Sequence, residues 1–315
     1  MKSLLACAAL FAVPAYAAEE TRSLSPAEIV AAAPQEAWSE IAADDLLVMT
    51  LAPDRNGTPR RVVIQLIAEP YSEAWTANIR TLAKAHWWDG LAIVRAQDNY
   101  VVQWGDPDGE EAGKARPLPQ GLRTTSESQY TVSGDAPGWT RFKDVTWPRG
   151  DVSHYVSFDR GWPIEGAGTP DSASHWPVHC YGSVGVGRNL SPDAGTGAEL
   201  YAVIGHAPRQ LDRNIAVVGR VVEGIEHLSV LPRGTGPLGF YATPGERTGI
   251  VSIRLASDLS EAERPRFEYL ISDTPAFARY VDARANRRDE FFIAPAGGVD
   301  VCNAPVPVRK LPTHP

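Results

Sequence analysis

The feature that most restricts the fold of this chain is a series of short apolar segments, each of strand length and each cut off by polar or turn-forming residues. "DLLVMTL" (45–51) and "RRVVIQLI" (60–67) are joined by "APDRNGTP", whose Asn56-Gly57 pair is a strong hairpin signal because both residue types accept positive φ. "LAIVRA" (91–96) and "YVVQWG" (100–105) follow, separated by "QDN"; then come "CYGSVGVGR", "AELYAVIG", "IAVVGRVVEG" and "TGIVSIRLA". No βαβ rhythm links them, so the sheet meanders, and a mainly β fold built on a closed antiparallel barrel is expected.

Three segments carry helical signals. In "SPAEIVAAAP", Ser25 is placed as N-cap, Pro26 in the first turn, Glu28 three residues after the cap and Pro34 as the stop. In "YSEAWTANIRTLAKAHWWDG", Ser72 is the cap candidate, and Trp75, Ile79, Leu82 and His86 fall on one helical face. "IEHLSVL" predicts a short helix after the third late strand.

Between Asp106 and Pro177 the patterning weakens. Gly, Pro, Ser and Trp abound, only "HYVSFD" around Tyr155 is strand-like, and Trp139, Trp147, Trp162 and Trp176 imply some order of its own. The tail from Ser260 is expected to be an extra, mostly helical layer. These readings divide the chain into a signal peptide (1–18), an N-terminal helical segment (19–43), a central domain (44–259) with an insertion at about 107–178, and a partly helical C-terminal extension (260–315).

The start, "MKSLLACAALFAVPAYAAEE", sets Lys2 before an apolar run that is too short to span a bilayer, followed by Ala15-Tyr16-Ala17. This is the layout of a secretory signal cleaved after Ala17 or Ala18, and it places the protein in the periplasm or outside the cell, with no membrane insertion afterwards. A lipoprotein attachment at Cys7 and an apolar first helix are the alternatives. Export leaves Cys180 and Cys302 where thiols oxidise; they can form one disulfide or remain two separately buried thiols. A formal charge of −8, with arginines scattered among acids, argues against a nucleic-acid partner.

Two polar residues interrupt neighbouring apolar strands: Arg95 in "LAIVRA" and Gln103 in "YVVQWG". Taken alone, Arg95 reads as a surface arginine paired with Asp98 or Asp106, Gln103 as a hydrogen-bonded edge residue, and Tyr100 and Tyr201 as core. "HWPVHC" sets His175, His179 and Cys180 at a spacing that a metal accepts, but no second cluster completes the ligand set, so no metal is expected. "GSVGVG" lacks the helix a dinucleotide loop needs, and no G-x-S-x-G is present; no cofactor is implied.

The order "RVVIQL", "NIRTLAKAHWWDGLAIVRAQDNYVVQWGDP", "GSVGVGR" and "GAELYAVIGHAPRQLDRNIAVVGRVVEGIE" resembles the cyclophilin family of peptidyl-prolyl cis/trans isomerases over roughly residues 45–259, interrupted by the insertion. The resemblance implies an eight-stranded barrel capped by two helices, with a proline-binding groove on its outer face and proline-containing polypeptides as partners. Arg95 then matches the family's catalytic arginine and Gln103 its strand glutamine, a second catalytic candidate whose amide can donate to the substrate carbonyl or hold Arg95 in place. Tyr100 and Val101 fall on one wall of the proline pocket, with Tyr201 and Leu211 on another. Glu199 stands where the family usually has another glutamine, Ile215 where a histidine is common, and Gln210 where some members carry tryptophan. The implied function is isomerisation of X-Pro bonds in exported polypeptides. A cyclophilin-fold module that binds proline segments or assembles with a partner, with little turnover, is the alternative.

Overall fold

The computed structural model describes residues 23–134, 154–168 and 173–312. The proposed signal segment and Cys7, together with Trp139 and Trp147, lie outside these residues.

In chain order the elements are α1 (Pro26–Ala31), β1 (Trp38–Glu40), β2 (Leu46–Leu51), β3 (Arg60–Leu66), α2 (Glu73–Lys84), β4 (Ala92–Ala96), β5 (Val101–Gly105), β6 (Val132–Ser133), β7 (His154–Asp159), β8 (Trp162–Ala167), β9 (Ser174–Pro177), β10 (Ser183–Val186), β11 (Leu200–Val203), β12 (Val217–Glu223), α3 (Glu226–Ser229), β13 (Thr248–Leu255), β14 (Phe267–Leu270), α4 (Pro275–Ala285) and β15 (Val308–Lys310). Eight of the strands close an antiparallel barrel in the order β10-β11-β5-β4-β13-β2-β3-β12, and they are the eight apolar segments singled out in the sequence. Closure leaves no open edge, so every strand has a partner on both sides.

The hairpin between β2 and β3 turns where Asn56-Gly57 stands. Asp54 Oδ1 accepts the backbone N–H of Asn56 and of Thr58, both at 2.8 Å, and Gly57 has φ +80°. Inward residues of all eight barrel strands meet Trp75, Ile79, Leu82 and Ala83 of α2, and Leu228 of α3, in one core. Burial of each such large side chain contributes roughly 1.5–3 kcal/mol. Two details of α2 differ from expectation. Ser72 adopts φ +49° and its hydroxyl donates to the Val217 carbonyl at 2.7 Å instead of capping the helix. The helix ends at Lys84, so His86, at φ +55°, is exposed and off the apolar face.

Among the described residues, two further sheets lie outside the barrel. The insertion forms a four-stranded antiparallel sheet, β6-β9-β8-β7, rather than one lone strand. Its strand β8, "WPIEGA", hides from periodicity because Pro163, Glu165 and Gly166 interrupt the apolar pattern, yet Trp162, Ile164 and Glu165 are buried. The tail is not mostly helical: α4 is flanked by β14 and β15, which pair with each other, and β14 also pairs with β1 near the N-terminus. Trp38 from the N-terminal segment, Phe158 and Trp176 from the insertion, and Phe277, Tyr280 and Val281 from α4 share a second core. The capping box of α1 is complete: Ser25 Oγ accepts the Glu28 N–H and Glu28 accepts the Ser25 N–H at 2.8 Å.

Cys180, just before β10, is bonded to Cys302 in the tail; their Cα atoms are 5.1 Å apart and 122 residues separate them. The bond ties the second core to the barrel and restricts a long loop of the unfolded chain. Cys180→Ser is therefore expected to lower the unfolding free energy by about 2–4 kcal/mol in denaturant titrations, with the same loss in wild type under reductant. Equal midpoints with and without reductant would mean that the bond contributes nothing.

Candidate active site

Arg95 in β4 stands opposite Gln103 in β5, and Gln103 stands opposite Tyr201 in β11, so three strands set these side chains in one row. A register shift between Ile93 and Arg95 makes this placement work. Ile93 and Ala96 both pack in the barrel core, a spacing of three that strict alternation forbids. The bulge absorbs the odd residue and leaves Arg95 outside. In β5, Val102 and Trp104 face inward while Val101 joins an outer cluster with Tyr201 and Val203, against which Tyr100, Leu211 and Ile215 pack.

These residues line a cleft of about 820 Å³. All seven groove residues read from the sequence border it: Arg95, Tyr100, Val101, Gln103, Glu199, Tyr201 and Leu211. Ile215 lines it too, giving an apolar surface at the position where a histidine is common. Gln210 is exposed and does not reach the cleft lining. The first stretch of the insertion forms one rim, with Asp106, Glu110, Arg116 and Leu118.

Arg95 is not the paired surface arginine of the simpler reading. Asp98 binds Arg233 at 3.0 Å, and Asp106 accepts the backbone N–H groups of Arg116 and Asp108. Neutral oxygens hold the guanidinium instead: Nε donates to the Leu238 carbonyl at 2.7 Å, Nη1 to Gln103 Oε1 at 3.3 Å, and Nη2 to Gln97 Oε1. The Phe240 and Tyr100 rings lie 5.1 and 5.5 Å from its central carbon. Burial lowers its pKa below the usual arginine value. With three of five N–H groups used in these bonds, two are left to reach a ligand.

Glu199 lies across Gly105 of the neighbouring strand, where a Cβ would come within 2.0 Å of its Oε1. Its Oε1 accepts the Asp106 N–H at 2.9 Å. Burial pushes its carboxyl up from the usual 4.5 to about 7, against the lowering effect of the bonds from Asp106 and Gln103. Gln103 thus links the two charged groups: its oxygen accepts from Arg95 and its amide donates to Glu199.

A family description for cyclophilin type peptidyl-prolyl cis-trans isomerases matches residues 56–243, more than half of the chain. The chain belongs to this family. Among solved structures, the cyclophilin AquaCyp293 from Hirschia baltica superposes with a TM-score of 0.65 at 21% identity, over 88% of this chain and 95% of that one. A cyclophilin type peptidyl-prolyl cis-trans isomerase of Cryptosporidium parvum has a TM-score of 0.39 at 11% identity, over 67% and 96%. The same Cryptosporidium protein, solved in the presence of the dipeptide Ala-Pro, has a TM-score of 0.37. No curated protein sequence matches the chain significantly.

Several residues of this cyclophilin's groove escaped the sequence reading. Phe240, Leu238 and Gln97 surround Arg95, but "GPLGFY" reads only as a Gly/Pro loop; its approach to β4 rests on long-range bonds such as Tyr241 N–H to the Val94 carbonyl at 2.9 Å. His179, noted only for its spacing to Cys180, is fully buried and bonded to Tyr201 and Asp212. His175 donates from Nδ1 to the Gly134 carbonyl at 2.9 Å.

The raised carboxyl of Glu199 has a stability consequence. Its folded pKa lies above the unfolded one, so the folded state binds more protons between about pH 4.5 and 7, and stability is lost as pH rises through that window. Glu199→Gln should match wild type near the lower end and be more stable above the upper end, by up to roughly 3 kcal/mol. A pH-independent difference in denaturant titrations would show that the carboxyl titrates normally.

Proposed function

We propose that this cyclophilin isomerises X-Pro bonds in exported polypeptides, with Arg95 as the catalytic group. The observation that carries the reading is a half-buried guanidinium held by three neutral oxygens, of Leu238, Gln103 and Gln97, beside an apolar pocket. Rotation about X-Pro faces a barrier near 20 kcal/mol because the amide nitrogen shares its lone pair with the carbonyl. In the twisted state that pair is localised on nitrogen and accepts a hydrogen bond. A charged donor at the edge of an apolar pocket stabilises this state more than the planar amide, since water screens it poorly there. Tyr201, Val101, Leu211 and Ile215 offer the proline ring its surface. Gln103 serves to hold Arg95 and Glu199, one of the two roles the sequence left open for it.

The apolar leader and the Cys180–Cys302 bond support export and hence a clientele in the periplasm or outside the cell. The binding-module alternative draws on Ile215, which offers no polar group where a histidine is common.

Arg95→Ala should lose about 10²-fold or more in kcat/KM on a short proline peptide in a protease-coupled assay, with the unfolding midpoint unchanged. Arg95→Lys should recover little, because it keeps the charge without the planar fork. Equal activity in wild type and Arg95→Ala would remove Arg95 from the chemistry, and an inactive wild type that still binds the peptide would favour the binding module.

Glu199 sets a second expectation, on the residue before proline. At pH 8 the carboxylate should repel acidic residues there, so Lys or Leu peptides turn over faster than the Glu peptide. The gap should narrow at pH 6, as Glu199 takes up its proton, and in high salt. A Glu penalty that persists in Glu199→Gln would place its origin elsewhere in the groove.

A further inference from the structure

The ring of Tyr201 walls the pocket, and its hydroxyl is held inside the protein. The oxygen lies 2.8 Å from His179 Nε2, while His179 Nδ1 and its backbone N–H lie 2.8 and 2.9 Å from Asp212 Oδ1. His179 is 0% exposed and Tyr201 4%. An ionised carboxylate only accepts, so a proton faces Asp212 on Nδ1; with the single proton of a neutral imidazole placed there, Nε2 accepts from the Tyr201 O–H. Arg209 continues the chain: its Nε donates to Asp212 Oδ2 and its Nη2 to Glu165 in β8 of the inserted sheet. The His179 and Tyr201 rings lie end to end across this bond, 11° from parallel with their centroids 6.2 Å apart. Gly185 completes the fit, since a Cβ there would come within 2.3 Å of the Tyr201 hydroxyl oxygen.

We propose that His179 and Asp212 are positioning residues for the isomerisation, which fix the proline-pocket wall by holding the Tyr201 hydroxyl, and that Arg209 and Glu165 anchor them to the inserted sheet. The inference rests on the groove acting as proposed above. A ring held by packing alone can tilt within its site. The Tyr201 ring has one orientation that pairs both its O–H and the His179 lone pair, and any tilt leaves two buried polar atoms unmatched. The insertion thereby serves the groove twice, as a rim through its first residues and as a support from behind through Glu165.

The test measures kcat and KM separately on a proline peptide. His179→Leu should raise KM about tenfold with kcat nearly unchanged, because a loosened wall weakens binding of ground and transition states alike. Tyr201→Phe should raise it less, and the double variant His179→Leu/Tyr201→Phe should return close to Tyr201→Phe alone, since no unpaired hydroxyl remains. Additive effects, or an unchanged KM in His179→Leu, would overturn the proposal. If His179→Leu does not fold, Asp212→Asn keeps the shape while removing the charge that sets the tautomer, and should raise KM in the same direction; an unchanged KM there would equally overturn it. Imidazole ¹⁵N shifts of wild type give a reading independent of activity: a protonated Nδ1 and bare Nε2 are expected, and the opposite tautomer would refute the chain of bonds. An inactive wild type would count against the isomerase reading alone. The positioning claim would then be decided by the Kd of the Ala-Pro dipeptide in an NMR titration, weakened about tenfold in His179→Leu if it is right and unchanged if it is wrong.

Discussion

A guanidinium that stays charged beside an apolar pocket, without a carboxylate to neutralise it, must be held by neutral oxygens from several directions. Arg95 draws these from its own strand end (Gln97), from the neighbouring strand (Gln103) and from a distant loop (Leu238). Each source depends on a different part of the fold. Gln103 requires the bulged register of β4 on β5, and Leu238 requires the loop before β13 to return along β4. A carboxylate would satisfy the same donors with less architecture, but it would cancel the field that the proposed isomerisation draws on.

The appended segments support this arrangement from outside the barrel. The N-terminal segment, the insertion and the tail share one core, so none of the three buries its apolar surface alone. Two links run from them to the groove side of the barrel: the covalent one at Cys180 and the polar one from Glu165 through Arg209 and Asp212 to His179. The two meet at adjacent residues, His179 and Cys180, which hold the backbone entering β10 while Tyr201 is held beside it.

Glu199 shows how one strand position serves both packing and charge. It fits because Gly105 leaves room on the next strand, and burial at that fit raises its carboxyl toward neutrality. Its ionisation therefore changes near pH 7, well above that of an exposed glutamate.

Alternation and turn chemistry were local properties, so the barrel strands, the Asn56-Gly57 turn and the α1 capping box were legible in the chain. The motif order around Arg95 and Gln103 likewise pointed to the groove, and the seven residues it named share one cleft. What periodicity missed was β8, where Pro163 and Glu165 mask a strand whose polar residue is buried because Arg209 meets it. It also missed the tail strands, too short to show a period, and the exposed His86, which itself takes the left-handed turn after α2 ends at Lys84. Phe240, Leu238 and the Tyr201–His179–Asp212 chain depend on contacts between residues far apart in sequence. The sequence by itself determined which segments become strands and which side chains can carry charge, because these follow from each residue and its neighbours. Only the tertiary structure decided which partner meets each charge, because burial and hydrogen bonding are set by segments that the chain brings together from a distance.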